Sequence, residues 1–389
     1  MNKNVFSRTL IIVLLSILFS CSEDFDSQKD SMIEGKLSNS NREMIYLYEL
    51  NIKSLDIIDS VRLDEQGRFK LVFTNKHKAG FYTLSVAKSP AVLLQLNAGD
   101  KIQIEGNAQN LANVYSLKNA PSSELLKQLQ QKINISLDKA DSIYEAYRDA
   151  DTTLIKHSNL RVITDSLLRQ NQLDHYNMIR KFASDNKNSL VAIYALYSSY
   201  GQKSVLDLEL DFDLFKDVAD ALSRNYTNNI HVEDLQKRVN ELSVSKKSEI
   251  DFENSLNAGN VFPDLILLDP NNQQLKLSDL KGKNTLVYLW NAKDKACWDT
   301  NQRLMTLYKK YAQKKNFEIF AVSFDTDIML WTSAINVDKL NWKNVIMDAK
   351  NLENFRIKNL PRMFLLDMDG KILQKDISLN QISDFLSKQ

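Results

Sequence analysis

Alternating hydrophobic and polar positions dominate the first third of the chain. Met44-Ile45-Tyr46-Leu47-Tyr48, Arg68-Phe69-Lys70-Leu71-Val72-Phe73 and Lys101-Ile102-Gln103-Ile104-Glu105 each place apolar side chains on one face of an extended segment. Asp64-Glu65-Gln66-Gly67 and Asn97-Ala98-Gly99-Asp100 are turn sequences between them, and Gly106 ends the last run. Residues 31–115 are therefore expected to form an antiparallel β sandwich or small barrel of roughly six to eight strands. The period changes at Pro121-Ser122-Ser123-Glu124, where a polar cap precedes Leu125, Leu126, Leu129 and Ile133. Helical spacing continues near 155–185, 189–200, 212–224 and 231–247, so residues 120–253 are expected to be a helical spacer. Residues 255–389 carry an α/β pattern. Leu286-Val287-Tyr288-Leu289-Trp290 and Phe317-Glu318-Ile319-Phe320-Ala321-Val322-Ser323 read as strands buried on both faces, with a helix from Asp294 to about Lys314 between them. Met363–Asp367 and Lys371–Gln374 flank Met368-Asp369-Gly370, a hairpin signal, and Leu379–Ser387 reads as a closing helix.

Composition narrows the function classes. A chain of 389 residues has room for two or three domains. Lys+Arg number 50 and Asp+Glu 49, and the net charge of +1 argues against a nucleic-acid binder. Hydrophobic residues at 43% supply real cores and exclude wholesale disorder. Two cysteines exclude a disulfide-stapled scaffold.

The first of those cysteines closes an N-terminal signal. Lys3 and Arg8 form a positive region, and Leu10 to Phe19 is an apolar core of about ten residues, too short to span a bilayer. With Leu18-Phe19-Ser20 ahead of Cys21, the segment looks like a bacterial lipoprotein signal peptide over 1–20. Cys21 would then be the lipidated N-terminus and the membrane anchor. Loss of Lys3 and Arg8 takes the charge from +1 to −1. Residues 21–30 form an acidic tether. Ser22 after the cysteine points to an outer-membrane lipoprotein, facing the periplasm or the cell surface.

The last region resembles the thioredoxin-like, TlpA and AhpC/TSA-type family of bacterial lipoproteins. The resemblance is carried by Phe262-Pro263-Asp264, Asp269-Pro270-Asn271-Asn272, Leu277–Lys283, Asn291-Ala292, Val322–Asp327 with Trp331, Trp342 and Asp348, and Phe355–Pro361. The pattern Ile58–Val61, Gly67-Arg68-Phe69, Gly80–Leu84 and Leu96–Asp100 resembles a small β domain of unknown function that precedes such domains. The resemblance implies a multidomain α+β chain: an antiparallel β sandwich, a helical middle and a thioredoxin-like α/β domain.

The family's redox motif is Trp-x-x-x-Cys-x-x-Cys at a helix start. Here it reads Trp290-Asn291-Ala292-Lys293-Asp294-Lys295-Ala296-Cys297, flanked by Trp298. Asp294 stands where the resemblance implies the nucleophilic cysteine, and Cys297 where it implies the resolving one. A carboxylate cannot attack a disulfide as a thiolate does. Asp294 is a natural helix N-cap. Cys297 is either an apolar packing residue or a lone reactive thiol. Pro361 matches the family's cis proline, and the backbone at Leu360 offers an extended peptide a pairing edge. Arg362, in place of the usual Thr, offers an anion contact. Two function classes stay open: a redox-degenerate peptide- or protein-binding or assembly module at the Pro361 groove, and a single-cysteine thiol-disulfide oxidoreductase using Cys297. A purely structural envelope protein is a third. No cofactor is implied. His157, His175 and His231 lack metal-ligand spacing, and no dinucleotide, phosphate-loop, zincin or serine-hydrolase motif occurs.

Overall fold

The computed structural model describes residues 30–74, 79–86, 91–150, 154–313, 316–348, 355, 357 and 359–388, with the backbone alone at 154–158. The signal segment, Cys21 and almost all of the tether lie outside the described residues, as do Arg356, Lys358 and the side chain of His157. The chain forms two compact units, divided between Leu242 and Ser243.

The first unit holds two four-stranded sheets. One contains β1 (Asp30–Ser38), β4 (Arg68–Thr74), β7 (Lys101–Asn107) and β8 (Tyr115–Lys118), in the order β4-β1-β7-β8. The other contains β2 (Met44–Leu50), β3 (Leu55–Arg62), β5 (Ala79–Val86) and β6 (Val92–Asn97), in the order β3-β2-β5-β6. Ile33, Ile45, Leu47, Leu71, Leu84 and Ile104 fill the core between them. Pairing is antiparallel except between β1 and β7, which run parallel. Gly35 sits on that parallel seam, where a Cβ would meet the Ile104 carbonyl oxygen at 2.0 Å.

β5 shows why the helices are more than a spacer. Its eight residues are buried on both faces apart from half-buried Thr83. Tyr82 and Leu84 face the inter-sheet core, while Ala79 and Phe81 join the helical core. A sheet covered on both faces needs a second layer. That layer comes from α1 (Pro121–Arg148), α2 (Leu154–Asp185), α3 (Val191–Leu196), α4 (Phe212–Asn225) and the first part of α5 (Ile230–Ser255). A two-residue hairpin, β9 (Ser199–Tyr200) with β10 (Lys203–Ser204), interrupts them, so the helix expected over 189–200 stops early. Asn229 joins the layers. It is fully buried, its amide donates to the Ala79 carbonyl at 2.7 Å, and its oxygen accepts from the N–H groups of His231 and Val232 at the start of α5.

The second unit contains the rest of α5 and a mixed sheet. Its strands are β11 (Ile266–Leu268), β12 (Gln274–Lys276), β13 (Asn284–Trp290), β14 (Phe317–Ser323), β15 (Lys343–Ile346), β16 (Arg362–Leu366) and β17 (Ile372–Lys375), in the order β12-β11-β15-β14-β13-β16-β17. β13, β14 and β15 are parallel, and β16 returns antiparallel beside β13. All seven residues of β13 and of β14 are buried. Tyr288 and Ile319 pack toward Leu304 of α6 (Lys295–Tyr311) and Ile382 of α8 (Leu379–Lys388), with Trp331 of α7 (Ile328–Asp338) in the same cluster. Val287, Leu289 and Phe320 pack toward Phe262, Leu265 and Phe252 on the other face.

Replacing Asn229 with Ala removes a helix cap and strands the Ala79 carbonyl. Asn229→Ala should destabilise the first unit by about 2–3 kcal/mol. Urea unfolding followed by circular dichroism reads this, and a loss under about 0.5 kcal/mol would show that the bond does not join the layers.

Candidate functional site

The parallel strands β13 and β14 end side by side, and their carboxyl ends are where an open α/β sheet offers a crevice. Trp290 closes β13, and Asn291 to Asp294 turn the chain into α6. The turn is made by side chains. Asn291 Oδ1 accepts the Asp294 N–H at 2.8 Å, and Asp294 Oδ1 accepts from the N–H of Ala296 at 2.7 Å and of Cys297 at 3.4 Å. Asp294 is thus the N-cap, with extended backbone, and its carboxylate meets the positive end of the helix dipole. The preceding loop is held from β14. Buried Asp325 accepts from the Ala292 N–H and the Ser323 hydroxyl, each at 2.8 Å, and the Phe324 N–H donates to the Trp290 carbonyl at 2.8 Å.

Cys297 lies one turn into α6 with no exposed surface, in a cluster with Leu286, Tyr288, Trp290 and Leu304. Its carbonyl accepts the Tyr288 hydroxyl at 3.1 Å. Burial pushes the thiol up to about 11, and the Asp294 and Asp325 carboxylates push the same way. Hydrogen bonding to the Asn291 backbone and to Tyr288 opposes this without reversing it. A nucleophilic cysteine needs the opposite shift. The structure places the Cys297 thiol as a buried group among apolar neighbours. Trp290 is buried beside it, its ring nearly parallel to that of Tyr288 (centroids 6.3 Å, interplanar angle 9°). Trp298 is 52% exposed at the mouth of the helix.

The Leu360–Pro361 bond is cis, and both residues are half-buried. Leu360 packs against the cluster that holds Cys297. In the β13–β16 ladder Leu289 pairs with Arg362, and one further step of that register brings Pro361 level with Trp290. The structure thus brings Trp290, Cys297 and Leu360 to one end of the sheet.

Arg362 is placed differently from the expectation. Its guanidinium is engaged by Glu253 at 2.7 Å and Asp376 at 2.8 Å, lies over the Phe364 ring, and keeps only 13% of its side chain exposed. An arginine paired with two carboxylates is not a free anion contact. It ties the end of α5 to the sheet instead, and Lys375 adds a 2.9 Å ion pair to Glu253. The Arg362 hydrogen bonds, with help from Lys375, hold the Glu253 carboxyl below the usual carboxylate range.

Asp325, Ser323 and Glu253 were not singled out by sequence reasoning. The one available signal for Asp325 was an acidic residue two positions after the buried strand β14. Glu253 is 109 residues from Arg362, and no local pattern links them. Among the described residues, no cluster of three His, Cys, Asp or Glu side chains is placed to hold a metal ion, and no helix is long and apolar enough to cross a membrane.

A family model described as Thioredoxin-like matches residues 282–372. The chain is 26% identical over 140 residues to a thiol-disulfide oxidoreductase ResA of Bacillus thuringiensis subsp. konkukian, across 35% of this chain and 80% of that one. With a ResA of Bacillus cereus the figures are 28% over 134 residues, 33% and 77%. Among solved structures, the thioredoxin domain of a thiol-disulfide oxidoreductase from Bacteroides vulgatus is 30% identical. It matches 34% of this chain and 98% of its own, with a TM-score of 0.33. A thiol:disulfide interchange protein from Bacteroides sp. is also 30% identical, across 34% and 90%, with a TM-score of 0.32.

Two outcomes follow from this geometry. In a chain starting at Ser22, where Cys297 is the sole thiol, iodoacetamide at about pH 8 should leave the native protein unmodified and label it fully in concentrated guanidinium. Rapid native labelling would contradict the buried placement. Glu253 is more acidic folded than unfolded, so its contribution is present above the ordinary carboxylate range and is lost as pH falls through its lowered value. Glu253→Gln should lower the thermal midpoint at neutral pH, and the gap to wild type should shrink on acidification. A constant gap would show that the charge is not what matters.

Proposed function

Starting from a C-terminal thioredoxin-like domain of the thiol-disulfide oxidoreductase family, we propose that this chain has exchanged thiol chemistry for binding. In this reading the domain is a redox-degenerate peptide- or protein-binding or assembly module. It is carried by an extracytoplasmic protein held at the outer membrane through lipid on Cys21.

One observation carries the reading: a carboxylate occupies the helix N-terminus that a dithiol motif reserves for its nucleophile. Asp294 caps α6, and the remaining thiol three residues on is wholly buried. The helix dipole and two free N–H groups would stabilise a thiolate at that place. Asp294 uses them for a permanent charge, which supports the helix and does no exchange. The binding half of the proposal rests on what remains at the same end of the sheet. Half-buried Leu360 and Pro361 offer an extended segment a main-chain edge by strand addition, and exposed Trp298 offers it an apolar contact. The single-cysteine oxidoreductase is the other outcome of the test.

The experiment is a gain of function. Wild type should not reduce insulin with dithiothreitol above the uncatalysed rate. Asp294→Cys creates a Cys-x-x-Cys pair across the first helical turn, where the separation of Cα atoms, about 5–6 Å, suits a disulfide. That variant should form the disulfide and accelerate insulin reduction at least about tenfold. Equal activity of wild type, abolished by Cys297→Ala, would overturn the proposal in favour of the single-thiol enzyme.

A further inference from the structure

A second candidate site lies in the first unit, outside the thioredoxin-like domain. A cavity of about 300 Å³ opens between α2 and the β9–β10 hairpin, at the lower end of the size range of small-ligand pockets. Its apolar wall includes Leu173 and Val205, and Tyr176 and Tyr200 present rings. Its charged lining consists of Arg169 and Lys203, with no carboxylate. Neither cation pairs with an acidic group among the described residues. Their neighbours differ: Arg180 pairs with Asp211, Lys181 with Asp185 and Lys139 with Asp174. Two unanswered positive charges at one mouth are a local excess in a chain that is otherwise balanced.

The wall also holds His175. It is 1% exposed, and among the described residues neither Nδ1 nor Nε2 has a hydrogen-bond partner. Leaving such a buried group unmet costs about 1–3 kcal/mol. Its aromatic neighbour meets it through the ring: the Tyr200 hydroxyl accepts from the Asn171 amide at 2.8 Å, and the Tyr200 ring meets the imidazole edge-on, with centroids 4.9 Å apart. Desolvation disfavours the charged imidazole, so His175 offers one N–H donor and one lone pair.

We propose that this cavity binds a small organic carboxylate with a flat apolar body. Arg169 and Lys203 take the anion, Leu173, Val205 and the tyrosine rings take the body, and His175 supplies the buried polar contact. A bare inorganic anion leaves the apolar wall wet, and a neutral ligand leaves both cations unanswered.

The test uses the full chain with its histidines labelled at Cε1 with carbon-13. The sequence has only four histidines, and the signal missing from His175→Gln identifies His175. Benzoate, benzyl alcohol and inorganic phosphate are the probes. Benzoate should move the His175 signal saturably and leave the other three in place. Benzyl alcohol and phosphate should each bind at least tenfold more weakly. Arg169→Gln and Lys203→Gln alter exposed side chains and should each weaken benzoate at least fivefold while leaving the other histidine signals unchanged. Equal binding of benzyl alcohol, equal binding of phosphate, or no saturable shift with benzoate would each overturn the proposal.

Discussion

A strand buried on both faces obliges the chain to provide two covering layers, and this requirement organises both units. β13 and β14 expose no residue on either face, so α6, α7 and α8 cover one side and the segment around Phe252, Phe262 and Leu265 covers the other. β5 imposes the same demand in the first unit, met by the facing sheet and by the helices. The helical region thus builds a second core that covers the outer face of β5 through Ala79 and Phe81. Without it Phe81 and Ala79 would face water, and burying a side chain the size of Phe is worth roughly 1.5–3 kcal/mol.

The chemistry at the end of β13 follows from what stands at a helix N-terminus. The unpaired N–H groups there form a site of positive potential that will stabilise an anion. A thiolate in that place becomes a nucleophile, whereas a carboxylate becomes a cap. Asp294 is a cap, and it shapes the fate of Cys297 as well. Its negative charge and that of Asp325 add to burial in keeping the thiol protonated. The site is still tightly organised, since Asn291, Asp294, Ser323 and Asp325 satisfy the backbone of the loop between them.

Polar side chains elsewhere act as long-range pins. Arg362 gathers Glu253 and Asp376 from distant parts of the chain while its guanidinium lies over Phe364. Such a pair stabilises only when each buried charge is met, and here each carboxylate has a cationic partner. His175 is the counterexample, a buried imidazole without a hydrogen-bond partner among the described residues.

Much of the fold was legible in the sequence because period and burial are local properties. The alternation of Arg68–Phe73 and the apolar run Leu286–Trp290 fixed strand type, and the spacing from Trp290 located Asp294 at the start of α6. Asp294's capping role was legible for the same reason, since an N-cap bonds residues only two and three positions away. What no pattern carried was contact between distant residues. That Arg362 would meet Glu253, that β1 would lie parallel to β7, and that Cys297 would lose all contact with water depend on which surfaces come together. The sequence alone determined that a carboxylate, Asp294, stands three residues before Cys297, because identity needs no geometry. Only the tertiary structure decided that the remaining thiol is held neutral, because a pKa is set by the solvent and charges around a group, and these are known only once the chain has packed.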